Sequence, residues 1–261
     1  MYSGPDYGSF NLKECALRCL FYGSVTEVVH MDYPMISHAL DRSWILHVSI
    51  AGSANGLICL VTRDLDFVLW NPSIRKYKKP PHPRPTLRYD GPIYGFGYDE
   101  FRNDYKVVGI FCNYYSDQVE VKIYSLKSDS WTRVDDCQDG LQFYGLGKFV
   151  TGKLHWPTDR MYEDWNIISF DLANQKWGNV EQPCYGQGDI ALWLGVLGND
   201  LSVFSDYYRI RVDVWVMKEY GVKESWTKMF TVNYPVDPVL DGHMFSLPSF
   251  MSNEGEIVAV F

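Results

Sequence analysis

Asn55-Gly56-Leu57-Ile58-Cys59-Leu60-Val61 is a turn followed by an apolar run of strand length. The arrangement returns at Asn103-Asp104-Tyr105-Lys106-Val107-Val108, at Thr151-Gly152-Lys153-Leu154-His155-Trp156 and at Asn199-Asp200-Leu201-Ser202-Val203-Phe204. Gly56, Asp104, Gly152 and Asp200 each stand 48 residues from the next. Asn, Asp and Gly supply the left-handed backbone of tight hairpin turns, so each copy reads as a turn with the second strand of its hairpin. A looser fifth copy is Asn253-Glu254-Gly255 ahead of Ile257-Val258-Ala259-Val260-Phe261.

Further along each unit one aromatic follows another by seven residues: Trp70 and Tyr77, Tyr124 and Trp131, Phe170 and Trp177. The fourth pair, Trp215 and Trp226, has four extra residues. Polar, turn-forming residues lie between the members of each pair, and Val119 to Ile123 alternates with the strand period of two. Each unit therefore holds a second hairpin. Glycines precede the first turn at Gly52, Gly95, Gly97, Gly145, Gly147 and Gly195, as strands converging on an axis require for close backbone approach.

Four strands per unit, a fixed period and no sustained helical periodicity predict an all-β fold, a β-propeller of four-stranded blades. Blades are expected at residues 46–80, 92–135, 143–181 and 190–232, a fifth begins at 244, and residues 15–33 resemble another hairpin. Pairing of strands from the two chain ends would close a ring of five or six blades, since an open ring exposes a strand edge. The last unit stops inside an apolar run without its second hairpin, and the expectation is a truncated version of a longer sequence. In domain terms, residues 1–45 form an N-terminal segment contributing a strand pair, and 46–261 form the propeller domain.

Composition agrees with this. The 261 residues are 46% hydrophobic and 21% charged, which excludes a disordered chain, and 42 aromatics favour pleated, half-buried surfaces. Net charge is -8, which argues against a nucleic-acid or membrane-surface partner and suits a basic one better. No apolar run is long enough for a membrane helix and the N-terminal residues do not form a signal peptide, so a cytoplasmic or nuclear location is expected. Six dispersed cysteines without metal-site spacing read as buried, reduced thiols.

The strings Ser53-Ala-Asn-Gly-Leu-Ile-Cys-Leu60, Leu69-Trp-Asn-Pro-Ser-Ile-Arg-Lys76, Tyr94-Gly-Phe-Gly-Tyr-Asp99 with Asp104-Tyr-Lys-Val-Val108, Gly152-Lys-Leu-His-Trp156, and Val214-Trp-Val-Met-Lys-Glu-Tyr220 through Ser225-Trp226 carry a resemblance. Together they resemble the F-box associated, kelch-like domain of plant F-box proteins, the group that includes the S-locus F-box proteins. The resemblance implies a module that presents a substrate protein to an SCF-type E3 ubiquitin ligase. Skp1 and cullin would be reached only through an upstream F-box, whose helical Leu/Arg/Cys/Trp pattern is not visible in residues 1–45. Ala54 stands where the family often has Cys, a difference of packing.

No motif for catalysis, metal or cofactor is legible, and an enzyme is not expected. The six histidines form no ligand pattern, and His155 beside Trp156 reads as a hydrogen-bonded core residue. A propeller glycoside hydrolase would need carboxylates around the axis, for which Asp64, Asp66, Asp99 and Asp104 come forward, though Asp99 and Asp104 flank a turn. A kelch-type copper oxidase would need ligands that nothing specifies. The remaining alternative is a truncated F-box protein copy without ligase recruitment. Protein-binding candidates are the basic residues Arg75, Lys76, Lys78 and Lys79, in a proline-rich link that continues to Arg84 and Arg88, and the loop tyrosines Tyr114, Tyr115, Tyr185, Tyr207 and Tyr208.

Overall fold

The computed structural model describes residues 13–14, 29–30, 48–62, 67–89, 91–113, 116–135, 137, 140–159, 165–185, 190–207, 210–233, 250–251 and 257–258. The chain divides into two compact units, Met1–Pro80 and Pro81–Phe261. In the first unit β1 (Lys13–Glu14) pairs antiparallel with β2 (Val29–His30), so that the first strand of the pair lies just before the stretch 15–33. The same unit holds a four-stranded antiparallel sheet of β3 (Val48–Ala54), β4 (Leu57–Thr62), β5 (Phe67–Asn71) and β6 (Lys76–Lys78).

Three more antiparallel sheets make up most of the second unit. One runs β7 (Gly91–Asp99), β8 (Asp104–Asn113), β9 (Ser116–Ser125), β10 (Ser130–Val134). In the next, β11 (Gln142–Phe143) and β12 (Lys148–Val150) share one side of β13 (Lys153–Asp159), followed by β14 (Asn166–Asp171) and β15 (Lys176–Val180). The last runs β16 (Ala191–Leu197), β17 (Asp200–Asp206), β18 (Arg211–Met217), β19 (Trp226–Asn233). A short pair, β20 (Phe250–Met251) and β21 (Ile257–Val258), falls where the fifth copy of the motif stands. The sheets are the four-stranded, sequentially connected blades of a β-propeller, at the positions the turns predicted.

The turns repeat because local chemistry fixes them. Asn55 (φ 47°) with Gly56 (φ 78°), and Thr151 (φ 48°) with Gly152 (φ 75°), form two-residue turns whose twist matches the flanking strands. A second type has four residues and closes between Asn71 and Lys76, Asp99 and Asp104, Ser125 and Ser130, and Asp171 and Lys176. Its last residue is left-handed in each copy: Arg75, Asn103, Asp129 and Gln175. The entry residue caps the loop: Asn71 Oδ1 accepts from Ser73 N–H at 3.1 Å, Asp99 Oδ1 from Arg102 N–H at 3.1 Å, Ser125 Oγ from Ser128 N–H at 3.1 Å and Asp171 Oδ1 from Asn174 N–H at 2.8 Å.

Strand parity then distributes the apolar residues between two interfaces. On β13, Leu154 and Trp156 join Val108, Ile110, Ile123 and Phe170 between the second and third sheets. Ile167 and Val150 face the other way, packing with Leu194, Val203, Met217 and Trp226 of the fourth sheet. Strands covered on both faces must be apolar at nearly every position, which is why these runs do not alternate. The innermost strands β7 and β12 touch at a parallel bridge between Gly95 and Gly147, where Gly147 N–H donates to Tyr94 C=O at 2.8 Å. A Cβ on Gly95 would lie 2.6 Å from the Trp156 ring, so the close approach needs glycine there. Gly145 differs from that expectation: its added Cβ would meet nothing within 4 Å, and it sits at φ 65° in the gap between β11 and β12. The gap has a cause in Pro157, whose C=O accepts from Tyr144 N–H at 3.0 Å. A residue's N–H and C=O leave a strand on the same side, so proline presents no donor to the inner strand there.

Candidate protein-interaction site

The carboxylates raised by the hydrolase reading serve the framework. Asp99 Oδ2 is 2.6 Å from Lys106 Nζ, and that buried ammonium also donates to Leu172 C=O on the third sheet at 2.8 Å. Burial alone would raise the Asp99 pKa, but Lys106 and Arg102 outweigh it and hold the carboxyl below its ordinary range. Arg102 further reaches the Ala173 carbonyl. Asp104 bonds across the sheet rather than within its own turn, accepting from Lys127 N–H at 2.9 Å and Ser125 Oγ–H at 2.6 Å. Asp64 and Asp66 lie outside the described residues.

His155 is fully buried, with Nδ1 3.0 Å from Lys148 C=O and Nε2 2.7 Å from the Tyr220 hydroxyl. Burial, the largest influence, brings its pKa down to about 4; the Lys148 carbonyl opposes this and the Lys153 charge adds to it. The neutral ring donates from Nδ1 and accepts from Tyr220, tying the third sheet to the loop after β18. Among the described residues no three His, Cys, Asp or Glu side chains are placed to hold a metal. Cys59 and Cys112 are buried as expected and Cys137 partly so, but Cys184 is exposed, because residue 184 follows β15 in a connection outside the sheet. Cys15 and Cys19 lie outside the described residues.

The basic candidates separate. Arg75 is the exposed left-handed residue of its loop, Lys76 opens β6, Lys78 is half-buried opposite Leu69, and Lys79 is exposed. All four belong to the first unit. Arg84 and Arg88 belong to a strap fixed to the second sheet. Trp131 Nε1–H donates to Pro81 C=O at 2.7 Å, and Lys122 Nζ donates to the Pro83 and Arg84 carbonyls at 3.0 and 2.8 Å. The buried Glu120 carboxylate accepts from Thr86 N–H and Thr86 Oγ–H, both at 2.7 Å, and from Leu87 N–H at 3.1 Å. Burial pushes the Glu120 pKa upward, but those bonds and Lys122 prevail and bring it to about 2. The signal in the sequence was Glu120 and Lys122 two apart, opposite charges on one strand face.

The described tyrosine candidates, Tyr185 and Tyr207, belong to one end of the second unit. Alternate hairpins of an antiparallel sheet turn at opposite ends, so the β8–β9 and β17–β18 loops and the segment after β15 share an end. The parallel Gly95–Gly147 bridge and the His155–Tyr220 contact align the three sheets. Tyr114 and Tyr115, between Asn113 and Ser116, and Tyr208 lie outside the described residues. Tyr207 follows β17, with its N–H donating to Arg211 C=O at 2.9 Å and the Arg211 guanidinium 4.3 Å over its ring. Tyr185 is half-buried, edge-on to Trp215 at 6.3 Å. Burial raises its hydroxyl pKa, and the neighbouring Tyr207 adds to this.

Sequence reasoning missed three residues at the same end. Tyr144 and Trp193 sit near the starts of inner strands and are 38% and 46% exposed, and Ile210, beside Tyr207, is 68% exposed. The Tyr144 hydroxyl lies 2.9 Å from Asp159 Oδ2, at the end of β13. Trp193 could have been found by parity, since its neighbours Leu192 and Leu194 face the core and it must face away. This end offers aromatic rings and carboxylates on a rigid frame, the makings of a protein contact.

A model of the F-box associated beta propeller domain matches residues 22–261. The chain is 36% identical to F-box protein CPR1 of Arabidopsis thaliana over 234 residues, covering 77% of this chain and 55% of that protein. It is 30% identical to F-box/kelch-repeat protein At3g23880 of the same plant over 230 residues, 85% of this chain and 61% of that one. F-box protein At4g22390, also from Arabidopsis thaliana, is 32% identical over 237 residues, 79% and 58% of the two chains. The chain thus spans between half and two thirds of the length of these relatives. With its blades, turns and motifs in the expected order, the chain belongs to the F-box associated β-propeller domain family.

Proposed function

We propose that this chain is the substrate-recognition module of an SCF-type ubiquitin ligase, holding a target protein at the aromatic end of its sheets and catalysing no reaction itself. The observation that carries this reading is the division of labour among side chains. Asp99, Asp104, Glu120 and His155 are committed to holding strands together, while Tyr144, Trp193, Tyr207 and Ile210 remain at one end without a part in the core. Membership of the F-box associated family supports it further. Recruitment of Skp1 and a cullin is the work of an F-box, so it depends on one being joined to this module. A cytoplasmic or nuclear location is part of the same proposal and rests on the ligase reading alone.

The test is reconstitution. The module is joined to an F-box with Skp1 and cullin, its captured proteins are identified, and ubiquitin transfer to them is compared with that by a Trp193→Ser, Tyr207→Ser variant of unchanged melting temperature. The expected result is loss of both capture and transfer. The same targets captured and modified by the variant would sink the assignment.

A further inference from the structure

The outer strands of the second, third and fourth sheets each carry a tryptophan near their start: Trp131 on β10, Trp177 on β15 and Trp226 on β19. In two of them the indole N–H closes onto the link that leads into its own sheet. Trp131 Nε1–H donates to Pro81 C=O at 2.7 Å, and Trp226 Nε1–H to Glu181 C=O at 2.8 Å. The third differs: Trp177 Nε1–H is buried without a hydrogen-bond partner, which forfeits its hydration with nothing in return. Beside the Trp177 ring lies a cavity of about 340 Å³, lined by Cys137 and Leu141 from the link into the third sheet, by Ile168 on β14, and by Gln175 and Lys176 at its rim.

The second sheet shows what occupies the corresponding place. There the strap, with prolines at 81, 83 and 85, gives its Pro81 carbonyl to Trp131 while Lys122 and Glu120 hold the rest of it. Trp131 stands opposite Tyr124 as Trp177 stands opposite Phe170. Lys122 and Glu120, two and four residues before Tyr124, therefore correspond to Ile168 and Asn166. The third sheet keeps the tryptophan of the strap site and lacks the ion pair that ties a strap of its own, with buried Ile168 as an apolar floor and exposed Lys176 at the rim. We propose that this cavity is a second binding site, which takes an extended, proline-rich segment of a partner protein. One backbone carbonyl accepts Trp177 Nε1–H, the ring turning into the adjoining space to present it; an apolar side chain rests on Ile168 and Leu141, and an acidic one meets Lys176. Proline-rich segments are extended before they bind, so little conformational entropy is lost on seating one against an aromatic ring. Lys176 opens β15 at the end opposite the tyrosine loops, so this site is independent of the recognition reading.

The test titrates the whole chain with a labelled, end-capped peptide, Pro-Leu-Pro-Glu-Pro, and with its counterpart Gly-Leu-Gly-Glu-Gly. Expected are saturable binding of the proline peptide, affinity about tenfold lower for the glycine counterpart, and a loss of about fivefold in Trp177→Phe, which keeps an aromatic ring and removes the N–H. Lys176→Glu changes an exposed side chain and should weaken the proline peptide about fivefold through like-charge repulsion. Melting gives a readout that needs no peptide. Trp177→Phe removes an unmatched donor and should melt at or above the wild-type temperature, whereas Trp131→Phe loses the bond to Pro81 and should melt lower. No saturable binding, equal affinity for the two peptides, binding unchanged in either Trp177→Phe or Lys176→Glu, or a melting loss in Trp177→Phe as large as that in Trp131→Phe overturns the inference.

Discussion

His155 spends both ring nitrogens inside the protein, and its pKa of about 4 lies below the ordinary 6.5. The unfolded chain therefore takes up a proton near pH 6.5 that the folded chain refuses until about pH 4, so the stability contribution is complete above 6.5 and lost on descending through that window. Glu120 behaves likewise lower down, its contribution present above the ordinary 4.5 and lost toward about 2. Urea midpoints measured from pH 8 to pH 4 should fall, and His155→Gln should flatten the curve between pH 6.5 and 4 while lowering the plateau. Glu120→Ala leaves the strap donors Thr86 and Leu87 without their acceptor, and should cost about 2 kcal/mol in chemical denaturation. His155 was legible from its place beside Trp156 on an apolar strand. Of Glu120 only the pairing with Lys122 was readable, because its partner Thr86 is 34 residues away and nothing in a strand's own alternation reports which polar face will be covered.

At the scale of the strand and the turn, the sequence is most readable where conformation is decided within a few residues. The capped four-residue loops and the Asn-Gly and Thr-Gly turns set strand ends to within two residues of expectation, since left-handed positions and side-chain caps are local chemistry. The interruption between β11 and β12 escaped notice because it depends on Pro157, across the sheet. Inner-strand glycines and turn glycines should respond differently to substitution. Gly95→Val would drive a side chain into the Trp156 ring and the facing strand, and should cost about 3 kcal/mol in thermal melts, or prevent folding. Gly56→Ala meets no atom within 4 Å and carries only the left-handed backbone penalty, about 1 kcal/mol.

Across the molecule, the sheets are tied edge to edge by polar bridges as well as by apolar packing. Lys106 joins the second sheet to the third and His155 joins the third to the fourth. Stability in such arrays is largely a sum of neighbour terms, so loss of one bridge should be felt in both sheets it joins. Hydrogen exchange of Tyr220→Phe should show faster opening in β13 and in the 217–226 loop with β7 and β8 unchanged. The strap supplies the other whole-chain prediction: it follows the boundary between the two compact units, and Glu120→Ala should expose the Arg88–Tyr89 bond to trypsin, giving fragments close to those units in mass. The recognition end was only partly legible. Loop tyrosines advertise themselves in a sequence, whereas Tyr144 lies in the interruption between β11 and β12 and Trp193 on β16, where exposure depends on what the rest of the sheet leaves open.

Cys184 stands exposed one residue before Tyr185, while the thiols of Cys59 and Cys112 are enclosed. Burial raises the Cys59 thiol pKa far above its ordinary value and so keeps it unreactive to maleimides. A fluorophore attached to Cys184 would stand beside Tyr185 without any engineered residue, and its emission could follow the arrival and departure of a bound protein in real time.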